Sequence, residues 1–276
     1  MTAQIADRYA LGSSNAELER LIHQAAHVGD LTAHVLDLAG LRPGMRVLDV
    51  GSGAGDVAFL AARLVGPEGE VLGVDQSPDA VALANRRAAG AGLENVRFQI
   101  GDVAALALDT PVDAVIGRLV LMYFPDPATI VKHLARLLRP GGIVVFHEFD
   151  LEAARSEPPC ALFDVSLDRL RRAFARVGVD HRAGLKLPRI FRAAGLPTPT
   201  MIQGARVEHG PAAEAYRELA GITRTLLPLI EQTGVATAAE VDVATLGERL
   251  RAEAVANDST LVSPAYIGAW ARVPGL

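Results

Sequence analysis

The sequence predicts an α/β fold built on a doubly wound, mostly parallel, seven-stranded sheet. Three observations predict it. Short, continuously apolar, β-branched stretches alternate with helical ones between residues 46 and 149, and strands of that kind suit a parallel sheet covered on both faces. A glycine-rich turn, Gly51-Ser52-Gly53-Ala54-Gly55, follows the first of these strands. With 276 residues, 50% of them hydrophobic and 21% charged, the chain can bury a large core.

Taken in order, 15–38 is the first expected helix. Leu18, Leu21, Ile22, Ala25, Ala26, Val28 and Leu31 recur near the helical period of about 3.6 residues, after the N-cap signal Ser14-Asn15. Arg42-Pro43-Gly44 marks a turn. Strands are expected at 46–50, 70–74, 95–100 and 112–116, with helices at 57–64, 78–91 and 127–138. The turn Arg139-Pro140-Gly141-Gly142 feeds a strand at 143–149. Right-handed crossovers put the loops after these strands on one sheet edge, where ligands bind. Beyond residue 150 the pattern becomes helical at 160–177 and 187–194, strand-like at 200–208, helical at 212–232 and 240–256, and strand-like again at 261–271. The helical stretch at about 210–258, between the last two strands, is expected to be an insertion covering the site. The whole of 1–276 then forms one domain: an N-terminal helical cover (1–38), a cofactor-binding core (39–150) and the remaining strands with their insertion (151–276).

Composition narrows the function. The formal net charge is -5, whereas a nucleic-acid binder shows a basic face for phosphate contacts. Arg169, Arg171, Arg172 and Arg176 are spaced as the solvated side of one helix. Nucleic acid is therefore not the expected partner. Cys160 is the only cysteine and the seven histidines form no HExxH pair, so no disulfide and no metal site are expected. Residues 1–8 lack a basic-then-apolar leader, and no run of about 18 apolar residues is free of charge. The chain reads as cytoplasmic, with no membrane partner. Monomer and homodimer are both open.

Three signals carry chemistry. In Val47-Leu48-Asp49-Val50-Gly51-Ser52-Gly53-Ala54-Gly55-Asp56 a glycine turn between strand and helix lets a ligand approach the backbone. The dinucleotide fingerprint GxGxxG is not met, because the third glycine, Gly55, arrives one residue early. Asp49 lies within the apolar strand, where a carboxylate is costly without a partner; it either faces a cationic ligand or caps the loop. Asp75, in Val71-Leu72-Gly73-Val74-Asp75-Gln76, ends the second strand 24 residues after Gly51, well placed to accept from ribose hydroxyls. Asp102, in Ile100-Gly101-Asp102-Val103, follows the third strand, where a carboxylate can accept from an adenine amine. A nicotinamide-dependent oxidoreductase would share the glycine loop and Asp75, but the early Gly55 and the position of Asp102 argue against it.

As a set these residues resemble the class I S-adenosylmethionine-dependent methyltransferases, whose fold is Rossmann-like. The resemblance spans about residues 40–150 and includes Asp113-Ala114-Val115-Ile116 and Leu137-Leu138-Arg139-Pro140-Gly141-Gly142. It implies S-adenosyl-L-methionine as cofactor and S-adenosyl-L-homocysteine as product. It implies that Asp49 and the loop at Gly51 and Gly53 lie by the methionine part and that Asp75 holds the ribose. Gln76 would flank the adenine, Asp102 and Val103 would read its edge, and Arg118 would pass beside the methionine moiety. The opening Tyr9-Ala10-Leu11-Gly12-Ser13-Ser14, the segment 117–123 and the late insertion look like a branch acting on small molecules in bacterial metabolism.

The acceptor is expected to be a small molecule bearing an oxygen nucleophile. The amino-methyltransferase signature Asn-Pro-Pro-Tyr/Phe is absent after the fourth strand, where Arg118-Leu119-Val120-Leu121 stands. N- or C-methylation of a small metabolite, and a non-catalytic cofactor-binding protein, are the alternatives. Tyr123, His147 and Glu148 are the substrate candidates at the ends of the fourth and fifth strands. His147 and Glu148 are also the catalytic candidates, because they interrupt the apolar run Ile143-Val144-Val145-Phe146 at the site edge and histidine titrates in the right range for a base. A histidine at a strand end can equally be a packing residue. Tyr9 and Trp270 are further aromatic candidates.

Overall fold

The computed structural model describes residues 28–275. The stretch 1–27, including Tyr9 and most of the expected cover, lies outside them. A helix at 28–39 (α1) leads into β1 (Arg46–Val50), α2 (Asp56–Val65), β2 (Glu70–Asp75), α3 (Pro78–Gly90), β3 (Val96–Ile100), β4 (Val112–Arg118), α4 (Pro127–Ala135) and β5 (Leu138–Asp150). Then follow β6 (Arg155–Glu157), α5 (Ala161–Val177), α6 (Ala183–Ala193), β7 (Thr200–Gly204), β8 (Val207–His209), α7 (Ala215–Gln232), α8 (Ala238–Val241), α9 (Leu246–Ala256), β9 (Thr260–Val262) and β10 (Ala265–Arg272).

Seven strands form one sheet in the order β3-β2-β1-β4-β5-β10-β7. The first five are parallel, and β10 runs antiparallel to β5 and β7. Side chains alternate between faces along each strand. Leu48, Val50, Val115, Val144 and Phe146 pack one way, against Ile130, Val131 and Leu134 of α4 and Leu187, Ile190 and Phe191 of α6. Val47, Ala114, Ile116, Ile143 and Val145 pack the other way, against α1, α2 and α3. Helix α1 lies so close to β10 that a Cβ on Gly268 would stand 2.4 Å from Val35.

Three of the expected strands differ in the structure, and the helix expected at 240–256 is broken into α8 and α9. The turn at 139–142 is absorbed into β5: Val112 pairs with Leu138 and Ala114 with Ile143, so the extra residues bulge out of the ladder. The strand expected at 200–208 breaks after Gly204, and that expected at 261–271 breaks around Ser263-Pro264, where proline has no amide to offer. The freed pieces β8 and β9 join β6 in a separate antiparallel sheet, β6-β9-β8. Arg206 and Ser263 bond across the two breaks.

The helices beyond residue 160 build a third core. Phe163, Leu167 and Leu170 of α5 meet Leu219, Leu226 and Ile230 of α7 and Leu246 and Leu250 of α9, with Leu261 from the small sheet. This core seats on Met122 and Tyr123, after β4, and on Leu151, after β5. It therefore adjoins the C-terminal edge of the large sheet. It draws on two stretches of chain, because α5 precedes β7, while only α7 to α9 lie in the expected insertion.

Candidate active site

The turn after β1 is set by backbone bonds and by glycine. The amides of Gly51 and Ser52 both donate to the Val74 carbonyl, at 2.9 and 3.1 Å, which bends the chain back over β2. Gly51 and Gly53 have φ of 65° and 52°, left-handed values that favour glycine. A Cβ on Gly51 would lie 2.6 Å from Val120, whereas one on Gly53 would meet nothing within 4 Å. The loop is thus packed on the β4 side and open above Gly53.

Asp49 lies one residue before the end of β1 and is 1% exposed. Neither of its oxygens has a hydrogen-bond partner among the described residues. Burial pushes its pKa up to about 8, partly offset by the Arg118 guanidinium and by the Ala58 amide of α2, which approaches the carboxylate without completing a hydrogen bond. A buried carboxylate left in this state is costly, and a donor or cation beside it would relieve the cost.

Asp75 closes the loop from β2. Its Oδ2 accepts from the Gly53 amide at 2.8 Å and its Oδ1 from the Ser77 amide at 2.9 Å. Each oxygen keeps further acceptor capacity. Burial raises its pKa, opposed by these amide bonds. Asp102 accepts on Oδ1 from the Ala104 amide at 2.9 Å and from Gln76 Nε2 at 3.3 Å, so Gln76 bridges the ends of β2 and β3. Val103 is buried in the apolar core. Asp49, the glycine loop, Asp75, Gln76 and Asp102 therefore stand along one edge of three adjacent parallel strands.

The residues after β4 and β5 divide between the two faces. Arg118 pairs with His147 in register, and both lie on the α1 side. Arg118 Nη1 donates to Thr32 Oγ1 at 3.1 Å, and burial lowers its pKa. His147 is buried, with Nδ1 3.2 Å from the same Thr32 hydroxyl and its ring 5.8 Å from that of Tyr266. Burial, helped by the Arg118 charge, pushes its pKa down to about 3, so the imidazole is neutral at pH 7. Glu148, the next residue on the strand, points to the opposite face. Its Oε1 accepts from the amides of Val120 and Leu121, at 2.9 and 2.8 Å, and Oε2 has no partner among the described residues. Burial raises its pKa to about 7 against those bonds. Glu148 thus holds the turn after β4, where Leu119 adopts a φ of 53°. The structure does not bring His147 and Glu148 together. Tyr123 sits in the turn Leu121–Tyr123, with its ring in the third core, and Trp270 packs against the α1-side core.

Two residues that the sequence reading passed over complete the site. Arg87, near the end of α3, donates to the Ala54 carbonyl at 2.6 Å and to Asp56 Oδ1 at 2.7 Å while lying 5.1 Å over the Phe59 ring. It clamps the exit of the glycine loop. Thr32 links α1 to β4 and β5. Neither carries a local motif; each acts only through a contact distant in sequence. Among the described residues no three His, Cys, Asp or Glu gather as metal ligands, and no helix is long and apolar enough to cross a membrane.

A Rossmann-like sheet with this strand order, and an acidic residue at or beside the end of each of its first three strands, defines the class I S-adenosylmethionine-dependent methyltransferases. A methyltransferase-domain family model matches residues 41–178, half of the chain. The chain belongs to that methyltransferase-domain family. It is 40% identical over 111 residues to an arsenite methyltransferase of Halobacterium salinarum, covering 40% of this chain and 28% of that protein. It is 41% identical over 109 residues to the nocamycin O-methyltransferase of Saccharothrix syringae, covering 39% of each. The matches thus span less than half the length of either relative. Among solved structures, a Haemonchus contortus phosphoethanolamine N-methyltransferase in complex with S-adenosyl-L-methionine is 18% identical, with a TM-score of 0.54 over 89% of this chain and 52% of that one. That likeness shows the fold alone. The groups along this edge fit S-adenosyl-L-methionine: a buried carboxylate without a full hydrogen bond for a cationic ligand, open space over Gly53, and carboxylates with spare acceptor capacity at the ends of β2 and β3.

Proposed function

We propose that the chain methylates a small, partly apolar acceptor on an oxygen that is itself acidic, such as a phenol, an enol or a carboxylic acid. The observation that carries this reading is the third core. An apolar helical layer seated on Met122, Tyr123 and Leu151 adjoins, at the ends of β4 and β5, the sheet edge on which the proposed cofactor residues stand, and largely apolar enclosures with a few polar groups suit small ligands. The net charge of -5 supports a small molecule over nucleic acid. The relative named as an O-methyltransferase supports oxygen, although its similarity covers only 39% of this chain. One buried cysteine offers no set of thiolates for a soft metalloid, which argues against arsenite as acceptor.

In this reading Asp75 accepts from the ribose hydroxyls, Gln76 flanks the adenine, and Asp102 and Val103 meet its edge. Asp49 and Arg118 face the charged methionine part above Gly51 and Gly53. The cofactor supplies an activated methyl group when bound, so the protein's work is alignment and exclusion of water. Glu148 contributes by position. It fixes the Val120 amide, and Val120 in turn packs on Gly51. His147 orients the acceptor oxygen. An imidazole whose pKa is down at about 3 has little basicity to take a proton from an alcohol, hence an acceptor oxygen that ionises by itself.

Incubation with methyl-labelled cofactor and a panel of phenols, carboxylic acids and amines, followed by mass spectrometry and NMR of the products, tests the reading. O-methyl products are expected, and His147→Ala should lower turnover by about 10- to 100-fold. An N-methyl product as the main outcome overturns the oxygen assignment, and unchanged turnover in His147→Ala removes that residue from the reaction.

A further inference from the structure

Three polar groups from two strands and a helix turn converge on one buried hydroxyl. Thr32 Oγ1 accepts from Arg118 Nη1 at 3.1 Å, lies 3.2 Å from His147 Nδ1, and is 3.1 Å from the Val28 carbonyl one turn back in α1. Thr32 is 1% exposed, so solvent does not complete a missing bond.

A hydroxyl has one proton to give and two lone pairs to receive. Arg118 only donates and takes one lone pair. The Val28 carbonyl only accepts. If Nδ1 were a second acceptor, it would compete with that carbonyl for a single proton, and one of the two would face the oxygen with no bond between them. That arrangement forms one bond fewer at a buried hydroxyl, even though the Val28 carbonyl keeps its backbone bond within α1. If Nδ1 carries the proton, all three bonds form together: Arg118 and His147 fill the two lone pairs, and Thr32 donates to Val28.

We infer that Thr32 is a positioning residue, whose hydroxyl anchors Arg118 and holds His147 in the Nδ1-protonated tautomer, leaving the Nε2 lone pair to accept from a polar hydrogen of the methyl acceptor beside its ionised oxygen. The last clause rests on the proposed place of His147 beside the acceptor; the anchoring and the tautomer do not. The arrangement makes α1, which lies outside the matched family region at 41–178, part of the working site.

Nitrogen NMR of histidine-labelled protein tests the inference, with His147 assigned by its loss in His147→Ala. Wild type and Thr32→Ser, which keeps the hydroxyl, should show a protonated Nδ1 and a bare Nε2. Thr32→Val keeps the shape without the hydroxyl; in it the Nε2-protonated form should gain, and calorimetric affinity for S-adenosyl-L-methionine should fall about tenfold as Arg118 loses its anchor. An Nε2-protonated His147 in the wild type overturns the inference, and that result needs no variant to fold. So does a folded Thr32→Val with both tautomer and affinity unchanged. If the tautomers behave as expected but His147→Ala transfers methyl groups at the wild-type rate, the clause about the acceptor is overturned and the role of Thr32 in holding Arg118 and His147 stands.

Discussion

Asp49 shows how much a single residue can disclose. A carboxylate inside an apolar strand is visible in the sequence, and the structure adds that neither oxygen has a partner among the described residues. Its pKa, raised by burial to about 8, means that the folded protein holds a proton there that the unfolded chain has lost. Stability from this group therefore falls as pH rises from the ordinary carboxylate range toward 8. A cationic ligand favours the ionised form, so cofactor binding at pH 7 should release close to one proton from Asp49. Calorimetry in buffers of different ionisation heat measures that release; Asp49→Asn should abolish its Asp49-dependent part, and identical proton release in the variant would contradict the assignment. Asp75 and Asp102 were equally legible, because each ends or follows a strand at a fixed place in the pattern. Glu148 was not. Its neighbour His147 drew both residues into one role, yet adjacent residues on a strand must face opposite sides, and the strand places one under α1 and the other behind the turn after β4.

At the scale of elements, the parallel half of the sheet was readable because its central strands are largely apolar and buried, while β3, at the sheet edge, alternates apolar and polar residues. The antiparallel half was less so. A run of strand-like residues does not announce that it will leave one sheet and enter another, as residues 200–209 and 260–272 do. The expected cover was a single insertion, whereas α5 joins α7 to α9 in the helical layer from an earlier stretch of chain. The periodicity of α5 was clear; its partners, α7 and α9, lie far along the chain and no local signal names them. The layer is a packed core in its own right. Leu226 of α7 is fully buried in it, and Leu226→Ala should cost about 2–5 kcal/mol of stability. Chemical denaturation measures this. A cost well under 1 kcal/mol would mean that the layer is loosely attached and does not form the apolar roof required of it.

On the scale of the whole molecule, fold and function are legible to different depths. The fold family is a host for many acceptors, and the arsenite and nocamycin methyltransferases each match only about 40% of the chain. In the proposed reading, what distinguishes one acceptor from another sits in the helical layer and in α1, where no motif speaks and side chains from distant segments meet. The molecule also offers two edges for a ligand. A cleft of about 260 Å³ opens at the opposite end of the strands, lined by Arg46, Glu70, Arg97, Gln99, Asp109 and Thr110. It lacks the glycine loop and the buried Asp49, and the proposed cofactor site is therefore at the other edge. Hydrogen exchange followed by mass spectrometry, with and without S-adenosyl-L-methionine, decides between them in one measurement. Slower exchange is predicted in the segments around 49–56, 75–77, 102–104 and 118–121, with 107–112 unchanged; protection at 107–112 without any at 75–77 would contradict the account.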